Sequence, residues 1–316
     1  MNSFFNSEDN VQTPLQGHIA DLARKSIDLR MTNLFWQLFT EAIHEPENPG
    51  EDISYIDQVT TSDNTVVLVT GGLDSTIAYH RALQESDGDV IGLYIDFGQP
   101  YAQREQDILN NLGIPFRYTS IDIGYDSENS DWKHIIPARN FLALDAAAYI
   151  AGRNGTVWFG VTHGESPARG GDKSQFFLHG TSLLFSQLYG TKEIKTLLDG
   201  TKTNNIKKFL EEGGNPEIIL NTYSCFNGTH KHCGHCQSCL RHYIALFNNG
   251  FSHETIMEKY EMNPLENCGE YIEKYRRKMG HEIMGYTSKH YGFRRCEETL
   301  RVIGQDILQE FYVTRA

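Results

Sequence analysis

The stretch Val66-Val67-Leu68-Val69-Thr70-Gly71-Gly72-Leu73-Asp74-Ser75-Thr76 constrains the fold more than any other part of the chain. Four consecutive apolar residues, three of them β-branched, predict a strand buried on both faces, as in a parallel sheet. The strand runs directly into Gly71-Gly72, and that turn runs into a helix on which Ala78, Tyr79, Ala82 and Leu83 are expected to share one face. A strand, a glycine turn and a helix N-terminus together make an anion site. The loop amides and the free N–H groups of the first helical turn point at one place, and the helix dipole favours negative charge there. Gly71 and Gly72 let the backbone approach the anion with no Cβ in the way. Asp74 and Ser75 are expected at the cap positions, where a carboxylate and a hydroxyl complete the cradle or hold Mg2+.

Further along, the chain alternates strand and helix. Residues Val90 to Ile95, Phe116 to Ile121 and Thr156 to Val161 read as buried strands, and a helix from Phe141 to Ala151 is stopped by Gly152. The fold class expected is therefore α/β, a doubly wound and mostly parallel sheet with ligands at the carboxyl ends of its strands. Polar residues follow each strand: Asp96-Phe97-Gly98-Gln99, then Pro137-Ala138-Arg139-Asn140, then Thr162, His163 and Glu165, then Arg169 to Lys173 with Asp172 among them. Any one of these sets reads equally as loop solvation or capping. Their convergence on one sheet edge favours a site, in which Arg139 and Asn140 offer a planar fork and an amide to a carboxylate or a heterocycle edge.

A second signal is Cys225-x7-Cys233-x2-Cys236-x2-Cys239. Four thiolates, three of them crowded by two-residue spacings, suit a closed tetrahedral Zn2+ site, with Gly234 permitting the turn around the ion. An iron–sulfur cluster is the competing reading, but the proline-flanked fourth cysteine of the bacterial ferredoxin run is absent. His230, His232 and His235 crowd the knuckle; most are expected to be solvated, and one of them could replace a cysteine. Cys268 and Cys296 are expected to be buried or inert.

The 316 residues carry a formal charge of −13, which disfavours free nucleic acid as the principal ligand while leaving room for a nucleotide in a local positive pocket. No apolar run approaches membrane-spanning length and the N-terminus lacks a signal pattern, so a cytoplasmic protein with no membrane partner is expected. Four parts are expected: an N-terminal helical extension over residues 1–60, an anion-binding α/β domain over 61–222, a zinc knuckle over 223–245 and a C-terminal helical extension over 246–316. The first carries an amphipathic stripe with Ile27, Met31, Leu34, Phe35, Leu38 and Ala42. The last carries one with Cys268, Tyr271, Ile272, Tyr275 and Met279, and another with Leu300, Ile303, Ile307 and Phe311. Such stripes pack on their own domain, or serve a homodimer or a partner protein.

The glycine turn is neither G-x-x-x-x-G-K-[ST], since no lysine follows it, nor G-x-G-x-x-G. It resembles the Ser-Gly-Gly-x-Asp-Ser loop of the PP-loop ATP pyrophosphatases, with Thr70 keeping the first hydroxyl. Together with Asp96-Phe97-Gly98-Gln99, Pro137-x-Arg139-Asn140, Leu197-x-x-x-Thr201-Lys202 and the cysteine pattern behind Ser224, it resembles the 7-cyano-7-deazaguanine synthase (QueC) family over residues 64–245. The resemblance implies an adenine nucleotide α-hydrolase-like fold and the cofactors ATP, Mg2+ and structural Zn2+. It implies an ATP-binding loop of Val69, Thr70, Gly71, Gly72, Leu73, Asp74, Ser75 and Thr76, with Asp74, Ser75 and Lys202 as catalytic candidates. Lys202 on its own reads equally as a solvated helix lysine. Asp96, Gln99, Arg139, Asn140, Glu165 and Asp172 are the candidates to bind substrate.

The reaction implied is adenylation of the carboxylate of 7-carboxy-7-deazaguanine, attack by ammonia, and an ATP-dependent dehydration of the amide to the nitrile. Two departures bear on the acceptor. Arg169-Gly170-Gly171-Asp172-Lys173 stands where the family has Gly-Tyr-Pro-Asp-Cys-Arg, and Thr196 replaces a proline before Leu197. An alternative is therefore a QueC-like ligase that couples the activated deazaguanine to a protein amine, as in relatives from antiviral operons. A non-enzymatic alternative is a nucleotide-binding scaffold with a decayed site, against which the retained Asp74, Ser75 and Lys202 argue.

Overall fold

A computed structural model describes residues 64–121, 138–162, 172–225, 227, 230–275, 298–299 and 302. The expected N-terminal helix, Pro137, His163, Glu165, Arg169, Met279, Cys296 and the stripe from Leu300 to Phe311 lie outside the described residues. In chain order the elements are β1 (Thr65–Leu68), α1 (Leu73–Glu85), β2 (Val90–Asp96), α2 (Ala102–Asn111), β3 (Phe116–Ser120), α3 (Arg139–Ala151), β4 (Thr156–Thr162), α4 (Gln175–Tyr189), β5 (Glu193–Leu197) and α5 (Lys202–Glu211). They continue as α6 (Pro216–Leu220), α7 (Gln237–Phe247), α8 (His253–Met257) and α9 (Pro264–Asn267), with residues 269–275 also helical. None of these helices is long and apolar enough to cross a membrane.

The strands form one sheet in the order β3-β2-β1-β4-β5, and every neighbouring pair is parallel. This is the doubly wound parallel sheet expected, with one strand more than the sequence patterns reveal. β5 reads Glu-Ile-Lys-Thr-Leu and sits at the edge, mostly half-buried, so it lacks the continuous apolar run of a central strand. β1, in the middle, is buried throughout.

Alternation along the strands divides the core between two faces. Val67, Val69, Tyr94 and Trp158 face one way, toward α1, α2, α5 and α7; Val66, Leu68, Leu93, Ile95, Val157 and Phe159 face the other, toward α3 and α4. The first of these cores is continuous with the segment beyond the sheet: Leu240, Tyr243, Ile256, Tyr260, Cys268, Ile272 and Tyr275 belong to it. Cys268 is thus buried, as expected. Of the face expected on α1, Ala78, Tyr79 and Ala82 are buried, while Leu83 is 49% exposed.

Gly160 lets β4 come up against the start of α1. A Cβ there would lie 2.8 Å from the Ser75 nitrogen and 3.0 Å from the Asp74 carbonyl carbon, both backbone atoms that cannot swing aside. Gly160→Ala is expected to cost about 1–3 kcal/mol, the usual range for overpacking, read as a lower midpoint in chemical denaturation. A wild-type midpoint would show that the strand does not hold the helix there.

Candidate active site and metal centre

Because all five strands run the same way, the segments that follow them share one edge of the sheet. Gly71 has φ +69°, a conformation open to glycine, and a Cβ on it would lie 2.7 Å from Ile108 Cγ2 of α2. Gly72 is the N-cap of α1 and no side chain caps the helix. The expectation of Asp74 and Ser75 as caps is therefore corrected: both lie in the first helical turn. Ser75 works backwards instead. Its hydroxyl donates to the Gly72 carbonyl at 3.1 Å and its oxygen accepts the Thr70 N–H at 3.1 Å, closing the turn on itself.

The loop fits an anion. The Gly72 N–H meets Thr70 Oγ1 at 3.4 Å and the Leu73 N–H meets Ser224 Oγ at 3.5 Å, both at the weak end of hydrogen bonding. Anionic oxygens are better acceptors and can displace these hydroxyls. A Cβ on Gly72 would lie 3.3 Å from Thr70 Oγ1 and 3.6 Å from the Tyr223 carbonyl, filling the cradle.

Lys202, the first residue of α5, forms an ion pair with Asp74 of α1. Each side chain is only 14% exposed, so the reading of Lys202 as a solvated helix lysine does not hold. The pair carries a cationic side chain from the end of β5 to the glycine turn after β1. A buried pair of this kind adds little net stability, because desolvation offsets the attraction; it does set where the ammonium sits.

The other candidates divide. Arg139 opens α3 behind Ala138, which has φ 57°, and its guanidinium donates to the Tyr101 hydroxyl at 3.1 Å. Asn140 is buried beside it. Asp96 and Gln99 shape their own loop: Asp96 accepts from the Gly98 N–H at 2.8 Å and the Tyr118 hydroxyl at 3.1 Å. Gln99 is buried, accepting from the Phe97 N–H at 2.8 Å and donating to the Tyr94 hydroxyl at 2.9 Å. Asp172 is half-buried in the turn ahead of α4, and none of these contacts reaches it.

Glu105 is the residue that sequence reasoning missed. In α2 it looks like any solvated helix carboxylate, yet its Oε2 accepts from the Tyr94 hydroxyl at 3.0 Å and from Gln99 Nε2 at 3.2 Å. Burial pushes its carboxyl up to about 7, against the downward pull of those hydrogen bonds and of the Arg139 guanidinium.

The four cysteines converge as their spacing predicts. The sulfurs of Cys225, Cys233, Cys236 and Cys239 all lie within 4.8 Å of one another, with Cys233 to Cys239 at 3.7 Å and Cys236 to Cys239 at 3.4 Å. Four sulfurs each about 2.3 Å from one tetrahedral ion stand about 3.8 Å apart, so the set fits a single ion. An iron–sulfur cluster would have to hold them further apart. Hydrogen bonding from the Cys236 and Cys239 thiols holds the Cys225 thiol well below its usual range. His230 and His235 are exposed. His232 is not: it is buried and stacked on His242 and Tyr260, with ring centroids 4.5 and 4.6 Å away. Its Nε2 meets the Thr222 carbonyl at 3.2 Å, so that nitrogen carries the proton.

This buried stack joins the metal site to the loop. Thr222 is followed by Tyr223, whose N–H donates to the Gly71 carbonyl at 2.9 Å and whose ring lies 4.8 Å from that of His232. Arg104 of α2 covers the Tyr223 ring at 4.8 Å and donates to its hydroxyl at 2.8 Å. Ser224 then presents its hydroxyl to the loop, and Cys225 its sulfur to the metal site.

Residues 64–250 match the sequence profile described as "Queuosine biosynthesis protein QueC", which is more than half of the chain. The chain belongs to this family. Curated relatives named 7-cyano-7-deazaguanine synthase match as well: that of Alteromonas mediterranea is 26% identical over 60% of this chain and 96% of its own length. That of Campylobacter concisus is 26% identical over 61% and 96%, and that of Prochlorococcus marinus (strain NATL1A) is 28% identical over 55% and 89%. The loop, Lys202 and the four cysteines all fall inside the matched residues; the segment holding Glu298 does not.

The purified protein is expected to carry about one Zn2+ per chain, measured by elemental analysis. Cys236→Ser should lose it and melt at a lower temperature, as should wild type stripped by a chelator. Metal-free protein with an unchanged melting curve would refute the site.

Proposed function

We propose that the protein adenylates the carboxylate of 7-carboxy-7-deazaguanine, and that ammonia then converts the adenylate, by way of the amide, into 7-cyano-7-deazaguanine. The observation that carries this reading is the Asp74–Lys202 pair set over a Gly-Gly turn at the end of the central strand, inside the residues matched by QueC. A carboxylate oxygen attacks the α-phosphorus of ATP, the α–β bridge breaks, and pyrophosphate leaves. Ammonia adds to the acyl carbon, and AMP and a proton depart to leave the amide. A second ATP adenylates the amide oxygen with loss of pyrophosphate. Loss of AMP and a proton then forms the nitrile.

In this mechanism the chain supplies placement and charge. The amides of Gly72 and Leu73, with the hydroxyls of Thr70, Ser75 and Ser224, receive the oxygens of the departing pyrophosphate, where charge develops. Asp74 is the residue that would hold Mg2+, which would neutralise that charge further. Lys202 would then exchange Asp74 for the α-phosphate. Arg139 and Asn140, at the start of α3, are the residues to orient the carboxylate or the base. Asp96, Gln99 and Glu105 hold the loop beside them, and the four-cysteine site fastens the Tyr223-Ser224 backbone against the turn.

The test is mass spectrometry of the protein incubated with ATP, Mg2+ and 7-carboxy-7-deazaguanine, with and without ammonium. Nitrile that appears only with ammonium is the expected product. AMP and pyrophosphate without nitrile would retain adenylation and replace ammonia with another amine, a protein amine among the options. No substrate-dependent ATP cleavage would overturn the proposal. Lys202→Ala should slow the cleavage by about 100-fold or more, the usual loss for one such charge contact, and should also lower the melting temperature, because it leaves the Asp74 carboxylate largely buried without its cation.

A further inference from the structure

The N-terminus of α5, which carries Lys202, is held from a part of the chain that lies beyond the QueC match. Thr201 is the N-cap: its hydroxyl oxygen accepts the Asn204 N–H at 3.2 Å while its proton goes to Glu298 Oε1 at 2.6 Å. Thr203 donates to the other oxygen of the same carboxylate, Glu298 Oε2, at 3.0 Å. One carboxylate therefore grips the residues on both sides of Lys202 across 97 and 95 positions of sequence. Charge-assisted bonds of this kind are about twice as strong as neutral ones, and an anion at a helix N-terminus is further favoured by the dipole.

The grip is set in packed surroundings. Thr201 and Thr299 are buried, Val302 packs against the core that contains α1, α5 and α7, and Asn249 at the end of α7 donates to the Thr203 carbonyl at 3.1 Å. Lys202 leaves this anchored turn to reach Asp74. Its ammonium can arrive at the glycine loop in register only if the backbone between Thr201 and Thr203 is fixed.

We propose that Glu298 is a positioning residue for Lys202, so that the C-terminal segment completes the activating site from outside the part of the chain that QueC relatives match. A group misplaced by about 1 Å can cost about 100-fold in rate, so a bond pair on either side of Lys202 has leverage that an ordinary surface cap lacks. The catalytic half of the proposal rests on the adenylation reading above; the structural half does not.

The experiment compares full-length wild type, Glu298→Ala and Glu298→Gln. Glutamine keeps one acceptor and offers its amide group to the second hydroxyl, so it retains the grip without the charge. Amide hydrogen exchange, which needs no substrate, is expected to rise in Glu298→Ala at residues 201–205 and also at 70–76, and to stay near wild type in Glu298→Gln. In ATP–pyrophosphate exchange, Glu298→Ala should lower kcat about tenfold or more with the KM for ATP little changed, and Glu298→Gln should recover most of the loss. Thr203→Val removes one of the two bonds and should give a smaller effect of the same kind, which keeps the test available should Glu298→Ala not fold. Exchange that rises at 201–205 alone, with kcat unchanged, would reduce Glu298 to a helix cap and overturn the proposal. Wild type without substrate-dependent turnover would instead defeat the adenylation reading, leaving the link from Glu298 to the loop to be decided by hydrogen exchange.

Discussion

An all-parallel sheet delivers the ends of its strands to one edge, and everything functional in this protein depends on that constraint. Residues as far apart as Asp74 and Lys202, 128 positions in sequence, meet because β1 and β5 run parallel and so deliver the segments that follow them to one edge, from either side of the switch in order between β1 and β4. The same geometry brings Asp96, Gln99 and Arg139 to the neighbouring strand ends. No local rule of helix or strand formation would place these groups together; the sheet does, and the loops only aim them.

Polar groups buried behind that edge make the aim rigid. The glycine turn has few contacts of its own, since glycine has no side chain, so its shape is imposed by neighbours. Ile108 packs where a Gly71 Cβ would lie, Ser75 bonds back across the turn, and Tyr223 holds the Gly71 carbonyl. Tyr223 is itself clamped between Arg104 and His232, and His232 belongs to the stack under the four cysteines. A buried polar network rigidifies only when each member is satisfied. The four-cysteine cluster is thus tied, through the backbone from Thr222 to Cys225, to the glycine turn.

How much of this was legible in the sequence follows from what each residue depends on. The loop and its strand were, because a buried parallel strand needs an apolar run and a close anion approach needs glycine, and both are local demands. The four cysteines were, because tetrahedral sulfur around one ion dictates short spacings. β5 was not, since an edge strand tolerates Glu193 and Lys195. Lys202 alone reads two ways and its ion pair with Asp74 decides between them, and nothing local says that Tyr94 and Phe97 bond the Gln99 amide. The spacing does not tell His232 from His230 and His235 beside it, and nothing local marks Glu105 or Glu298. Their roles come from partners supplied by other elements of the fold, which a sequence pattern does not carry.

In the proposed reaction a carboxylate oxygen of the deazaguanine attacks the α-phosphorus of ATP at the glycine loop. The most direct measurement uses 7-carboxy-7-deazaguanine labelled with 18O in its carboxylate, with mass analysis of the nucleotide products. An acyl-adenylate leaves one labelled oxygen on AMP when nitrogen displaces it, so AMP bearing a single 18O is the predicted result. Unlabelled AMP, or release of ADP and phosphate in its place, would contradict the account.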